Sequence, residues 1–199
     1  LGEDPDYEQP VEKSLGAQAK GRGMAPLELV YDTMLKNDGK ALIYFPIYNY
    51  TEFSYDNVHT MLEHPQALFG LSDSGAHVGT VCDGSFPTYL LSYWTRDRKK
   101  DRISLERAVQ MLSSDNAKHM GYTDRGLIQE GMKADLNVID YDKLSLKAPR
   151  MIQDLPGGGQ RLMQDVSGYI ATLVSGQVVL ENDKVSDARP GRLVRSSRM

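Results

Sequence analysis

The chain has 199 residues, 40% of them hydrophobic and 25% charged, with a net charge of −4. That length allows about one or two domains with a real core, and the scattered Lys and Arg in an acidic balance give no electrostatic case for nucleic acid. A single cysteine, Cys82, excludes an internal disulfide and a multi-thiolate metal site and suits a reducing, cytoplasmic compartment, and no apolar run reaches the roughly 18 residues a membrane span needs.

The chain begins with Leu rather than Met, and its polar, Pro-bounded opening predicts a surface loop, read here as cut from something longer. A short helix is predicted over 13–20, ended by Gly21 and Gly23. Pro26 at a first helical position and Glu28 in the first turn announce a stronger one. Its apolar stripe is Leu27, Val30, Tyr31, Met34 and Leu35, and Asn37-Asp38-Gly39 stops it. The nearly uniform run Ala41-Leu42-Ile43-Tyr44-Phe45 reads as a strand buried on both faces, closed by Pro46. A helix follows over 54–64 with Val58, Met61 and Leu62 inward. A second buried strand spans Ala67-Leu68-Phe69-Gly70-Leu71. This order of helix, strand, helix, strand predicts a parallel sheet in an α/β fold.

Further helices are expected over 88–97 and from Ser104, where Ser104-Leu105-Glu106-Arg107 has the form of a capping box. The charged run from Arg96 to Arg102 has acids mixed in and predicts a solvated helix end or loop. A last helical turn covers 116–120, up to Gly121. From about Ile128 the pattern becomes short strands and turns. Residues 134–140 alternate, Gly157-Gly158-Gly159 turns, and Ser175-Gly176 joins 169–174 to 177–180 as a hairpin. A domain boundary is placed near 127, separating 1–127 from 128–199.

In α/β folds the reactive residues stand at the C-terminal ends of strands. Ser72-Asp73-Ser74 and Tyr48-Asn49-Tyr50 occupy those positions. Asp73 can be a turn former or a helix N-cap, since its side chain accepts local backbone N–H groups. It can equally be a carboxylate that binds metal and moves a proton from water to a leaving nitrogen. His77 lies four residues on, as a ligand, a polarising group or a hydrogen-bonded loop residue. His59 and His64 fit surface positions, and His119 falls at a helix end, where a cation suits the dipole. The chain has no His-x-His pair, no His-Glu-x-x-His, no nucleophile elbow and no phosphate loop.

Taken in order, several stretches resemble the C-terminal part of an amidohydrolase-superfamily enzyme, most closely the D-aminoacylase (N-acyl-D-amino-acid deacylase) family. They are 70–77, 85–90, 105–121, the run from Asp124 to Val138, and 188–192. The resemblance implies a (β/α)₈ barrel over 1–127, with 41–48 as strand seven and 67–72 as strand eight, followed by part of a small β-sandwich over 128–199. It implies metal-activated hydrolysis of a non-peptide C–N amide bond in an N-acylated small molecule. Zinc is the implied metal, Asp73 its ligand and the proton shuttle, with the other ligands upstream of residue 1. His77, Asn49 and Tyr48 are the implied substrate-binding residues. Two strands of such a barrel would leave a bare edge, so a homo-oligomer is expected. The alternatives are an inactive truncated piece that self-associates, and the same fold acting as a deaminase or cyclic amidase.

Overall fold

The computed structural model describes residues 5–196. Its helices are α1 (Leu15–Arg22), α2 (Pro26–Met34), α3 (Lys36–Gly39), α4 (Asp56–Leu62), α5 (Phe86–Tyr89), α6 (Leu105–Leu112) and α7 (Ser114–His119), and a π-helix, Leu90–Asp97, continues α5. The strands are β1 (Leu136–Ile139), β2 (Ser145–Leu146), β3 (Arg150–Leu155), β4 (Gly159–Met163), β5 (Val166–Ser167), β6 (Tyr169–Val174), β7 (Gln177–Glu181) and β8 (Lys184–Val185). They pair antiparallel throughout, in a sheet of order β1-β6-β7-β8 and in the pairs β2-β5 and β3-β4.

The chain divides into two compact units that alternate along the sequence. The first takes the chain up to Pro65, Ser74–Cys82 and Lys147–Asp165. The second takes Gln66–Asp73, Asp83–Leu146 and the chain from Val166.

In the first unit, helix starts follow their chemistry. The Ser14 hydroxyl accepts the Ala17 N–H at 3.1 Å, and Gly23 ends α1 in the left-handed region at φ +66°. Pro26 opens α2 as expected. The α2 stripe corrects its expectation. Leu29 is buried, whereas Leu27, Tyr31, Met34 and Leu35 are all more than half exposed. Tyr50 is the aromatic centre here, 6% exposed, donating its hydroxyl hydrogen to the Gln9 carbonyl at 2.6 Å. Burial first, then the charge of Glu8, pushes its phenol up to about 12. A phenol whose folded pKa lies above the usual value of about 10 stabilises the fold below pH 10, and that stability is lost as pH rises through 12. The urea midpoint of the native protein is therefore expected to fall between pH 9.5 and 12 by an amount equivalent to about 2 kcal/mol, and Tyr50→Phe to flatten that fall.

The second unit has its core around Leu90, Leu91, Trp94, Ile103, Ala108, Met111, Ala117, Leu144 and Ala171. Ser104 caps α6, its hydroxyl accepting the Arg107 N–H at 3.1 Å. The π-helix ties the helices to the strands. Thr88 shares a hydrogen with Tyr169 at 2.8 Å and Thr95 with Tyr141 at 2.6 Å. Arg96 donates to the Tyr141 carbonyl and, at 2.7 Å, to the Leu144 carbonyl. The charged run that includes it was expected in solvent, yet Arg98 is 2% exposed. Its guanidinium lies 4.9 Å from the centre of the Trp94 ring and donates to the carbonyls of Lys100 at 3.0 Å and Asp101 at 3.2 Å. An arginine can be buried when its donors are met and an aromatic face receives the cation. Arg98→Met leaves those carbonyls short of a donor and is expected to cost about 2–3 kcal/mol, read as a lowered urea midpoint at unchanged slope.

The two runs expected as buried parallel strands are irregular, and no parallel sheet exists among the described residues. A strand needs a neighbour to take its N–H and C=O groups, and neither run has one. The Phe69 carbonyl instead accepts the Asn116 side-chain amide at 2.8 Å. Leu71 has φ +63° and is 96% exposed, which breaks extended geometry two residues before Asp73. The predicted hairpin forms. Ser175 and Gly176, at φ +51° and +76°, make the two-residue turn between β6 and β7.

Candidate active site

Asp73 closes the Gln66–Asp73 segment of the second unit and is exposed. It caps no helix, since the next one, α5, begins at Phe86 after Ser85. Its titratable neighbour is Asp83, which sequence reasoning missed. Partial desolvation of the Asp83 carboxyl, and after it the charge of Asp73, holds the Asp83 pKa above the usual carboxylate range, although the residue as a whole stays exposed. Asp83 N-terminally anchors its own turn, its carbonyl accepting the Phe86 N–H at 3.1 Å. Nothing in the spacing of Cys82-Asp83-Gly84 signals this electrostatic link to Asp73, which the fold makes across ten residues of chain.

The other expected site residues fall in the first unit. Tyr48 is 81% exposed. Asn49 is exposed with a left-handed backbone at φ +59°, a conformation that Asn tolerates better than other side chains. His77 is exposed in the segment Ser74–Cys82. Neither unit therefore gathers Asp73, His77, Asn49 and Tyr48 together. That segment is held by β4, whose Leu162 N–H donates to the Val78 carbonyl at 2.7 Å.

Zinc asks for about four ligands, at least three of them from protein in the usual sites. Among the described residues no group of three His, Cys, Asp or Glu is close enough to hold a metal ion. Asp73 and Asp83 bring two carboxylates, and the described donors alone do not fit the metal.

A family model described as an amidohydrolase family matches residues 12–180, most of the chain and Asp73 with it. The chain belongs to the amidohydrolase family. It is 30% identical over 178 residues to an uncharacterized protein of Mycobacterium bovis and to two uncharacterized proteins of Mycobacterium tuberculosis. Each alignment covers 85% of this chain and 28% of the relative, so the chain spans under a third of the relatives' length. No solved structure matches.

Within the chain the run from Asp124 to Val138, which resembles a superfamily motif, is structural. The Arg125 guanidinium pairs with Asp124 at 2.9 Å and with Asp135 at 3.3 Å, and lies 5.4 Å from the centre of the Tyr122 ring. Beside it, the Asp124 carboxyl is held below the usual range, first by that hydrogen bond. The other oxygen of Asp135 accepts the Ser175 N–H at 2.8 Å, and the Ala134 carbonyl accepts the Gly176 N–H at 2.8 Å. The run thus fixes the β6–β7 turn from below. Its residues are framework of the second unit. No helix among the described residues is long and apolar enough to cross a membrane.

Proposed function

We propose that this amidohydrolase chain serves the hydrolysis of a non-peptide C–N amide bond, of the kind found in an N-acyl amino acid, as D-aminoacylases do. The supporting observation is the family match across residues 12–180, which takes in the Asp73 segment. In this reading Asp73 accepts a proton from the attacking water and returns it to the leaving nitrogen. An exposed carboxylate is placed for such exchange. His77, Asn49 and Tyr48 are assigned to the substrate. Zinc is the metal of this reading. The described residues supply too few donors for it, and the step assigned to this chain is the proton's path.

The same reading places 1–127 in the closing portion of a (β/α)₈ barrel and 128–199 in a β-sandwich. The runs 41–48 and 67–72 would become strands once neighbours were supplied from another segment or copy. A homo-oligomer and a cytoplasmic setting belong to it as well. The exposed stripe of Leu27, Tyr31 and Met34 on α2 is what supports association.

The experiment is release of free amine from N-acyl-D- and N-acyl-L-amino acids, before and after chelation and with zinc restored. Release that chelation abolishes and zinc restores is the expected result for a form extended to the length of the relatives, whereas the 199-residue chain alone is expected to be inactive. A folded, extended form that releases no amine from any N-acyl substrate would sink the amidase reading, and turnover of cyclic amides or amino-heterocycles instead would move it to the neighbouring chemistries.

A further inference from the structure

We propose that the β3–β4 hairpin is a positioning element for the segment Ser74–Cys82, holding through the Leu162 backbone the loop that presents His77 to substrate. This rests on the assignment of His77 to substrate made above. The hairpin and the segment belong to the same compact unit, although about 65 residues of chain separate them. Antiparallel strands pair on one side of β4, with Met151 opposite Leu162 and Ile152 opposite Arg161. The Leu162 N–H points the other way and donates to the Val78 carbonyl at 2.7 Å, one residue beyond His77. Leu162 itself is 8% exposed, so that bond is made away from bulk solvent. In a loop with no helix or strand of its own, an outside backbone donor is a strong constraint on where the residues beside it stand.

The hairpin is built to stay rigid while doing this. Arg161 pairs with Asp154 at 2.6 Å across the two strands, and Arg150 pairs with Asp165 at 3.0 Å beyond their open end. The turn between them uses Gly157 and Gly158 at φ +71° and +79°, where a side chain would strain the backbone. At the base, Lys147 N–H donates to the Asp165 carbonyl at 2.9 Å, and the Gln164 amide donates to the Lys147 carbonyl and the Tyr7 hydroxyl, each at 2.9 Å. The result is a stiff arm anchored at its foot and gripping the loop near its middle.

The test has a structural arm and a catalytic arm. In the native protein the Leu162 amide should exchange with deuterium slowly, at the pace of the β3–β4 ladder. Exchange at the pace of an exposed strand edge overturns the proposal, whether or not any variant folds. Leu162→Pro removes the N–H without removing a β3 ladder bond, and Leu162→Ile keeps it. In Leu162→Pro, peptides covering 74–82 should exchange faster, and in a form extended to the length of the relatives KM for the N-acyl substrate should rise about fivefold at nearly constant kcat. Leu162→Ile should match the native protein in both. Equal effects of the two variants, or a fall in kcat at unchanged KM, would mean that the hairpin only supports the fold and does not position the loop. An extended, folded form without amidase activity overturns the functional reading, and the catalytic role given to the hairpin with it. The exchange arm then still decides whether the hairpin holds the loop, so the two failures are told apart.

Discussion

Gly168→Ala is expected to abolish folding of the second unit or to destabilise it by about 4 kcal/mol or more. Gly168 has φ +97°, outside what an L side chain adopts without strain. A β-carbon there would stand 2.6 Å from Leu144 Cα, 2.7 Å from Leu144 N and 3.0 Å from the Asp140 carbonyl oxygen. Those are backbone atoms, so no rotamer change relieves the clash. Leu144 is fully buried and its carbonyl is held by Arg96, which leaves no free direction for it to move. The Gly168 carbonyl also accepts the Asp140 N–H at 2.8 Å, so separating the two segments to make room would break the hydrogen bond between the start of β6 and the end of β1. Circular dichroism and urea unfolding of the variant measure this directly. Retention of a native-like midpoint would show that the contact yields more than its geometry allows. Gly176→Ala makes a contrasting control. It has a positive φ of +76° but only one neighbour, Ala134 Cβ at 4.0 Å, so it should cost the conformational strain of about 1 kcal/mol alone.

In a form extended to the length of the relatives, Asp73→Asn is expected to lower kcat for N-acyl substrate by about 10²–10⁴, the range that a positioned acid–base group contributes. Asn keeps the shape and the hydrogen-bonding reach but cannot take a proton. Because the residue is exposed and caps nothing, folding stability should stay within about 0.5 kcal/mol of native. The paired measurement therefore separates chemistry from structure. Lost turnover with an unchanged urea midpoint supports the proton-shuttle assignment, and full turnover would end it. In Asp73→Asn the Asp83 carboxyl also loses a negative neighbour and should become more acidic, a shift that carbon-13 NMR of its carboxyl can follow.

Sequence reasoning succeeded where the signal is local. Ser104 before α6, Pro26 at the start of α2, and Ser175-Gly176 between β6 and β7 each fix a backbone choice through their own atoms. It failed where the outcome depends on distant partners. Ala41 to Phe45 has the composition of a buried strand, but composition cannot supply the neighbouring strand that makes one. Arg98 sits in a run that reads as surface, and only the placement of Trp94 and two carbonyls turns it into a core residue. β3 and β4 went unread apart from their Gly157–Gly159 turn. Their faces are held by Arg–Asp pairs rather than by a clean alternation of apolar residues. The site shows the same division. Asp73 was visible through its position after an apolar run and through the family resemblance. Asp83 was not, since its relation to Asp73 is electrostatic and made by the fold.

The run Ala41 to Phe45, which joins no sheet among the described residues, carries a further consequence. Five consecutive apolar residues of mostly high β-propensity, uncharged and only partly covered, form the kind of segment that templates cross-β stacking. Lys40 stands immediately before it and Pro46 immediately after, a charge and a missing N–H at the two ends. Such flanking residues act as gatekeepers against aggregation. The same two residues that look like ordinary strand boundaries thus guard an apolar segment that no sheet among the described residues covers.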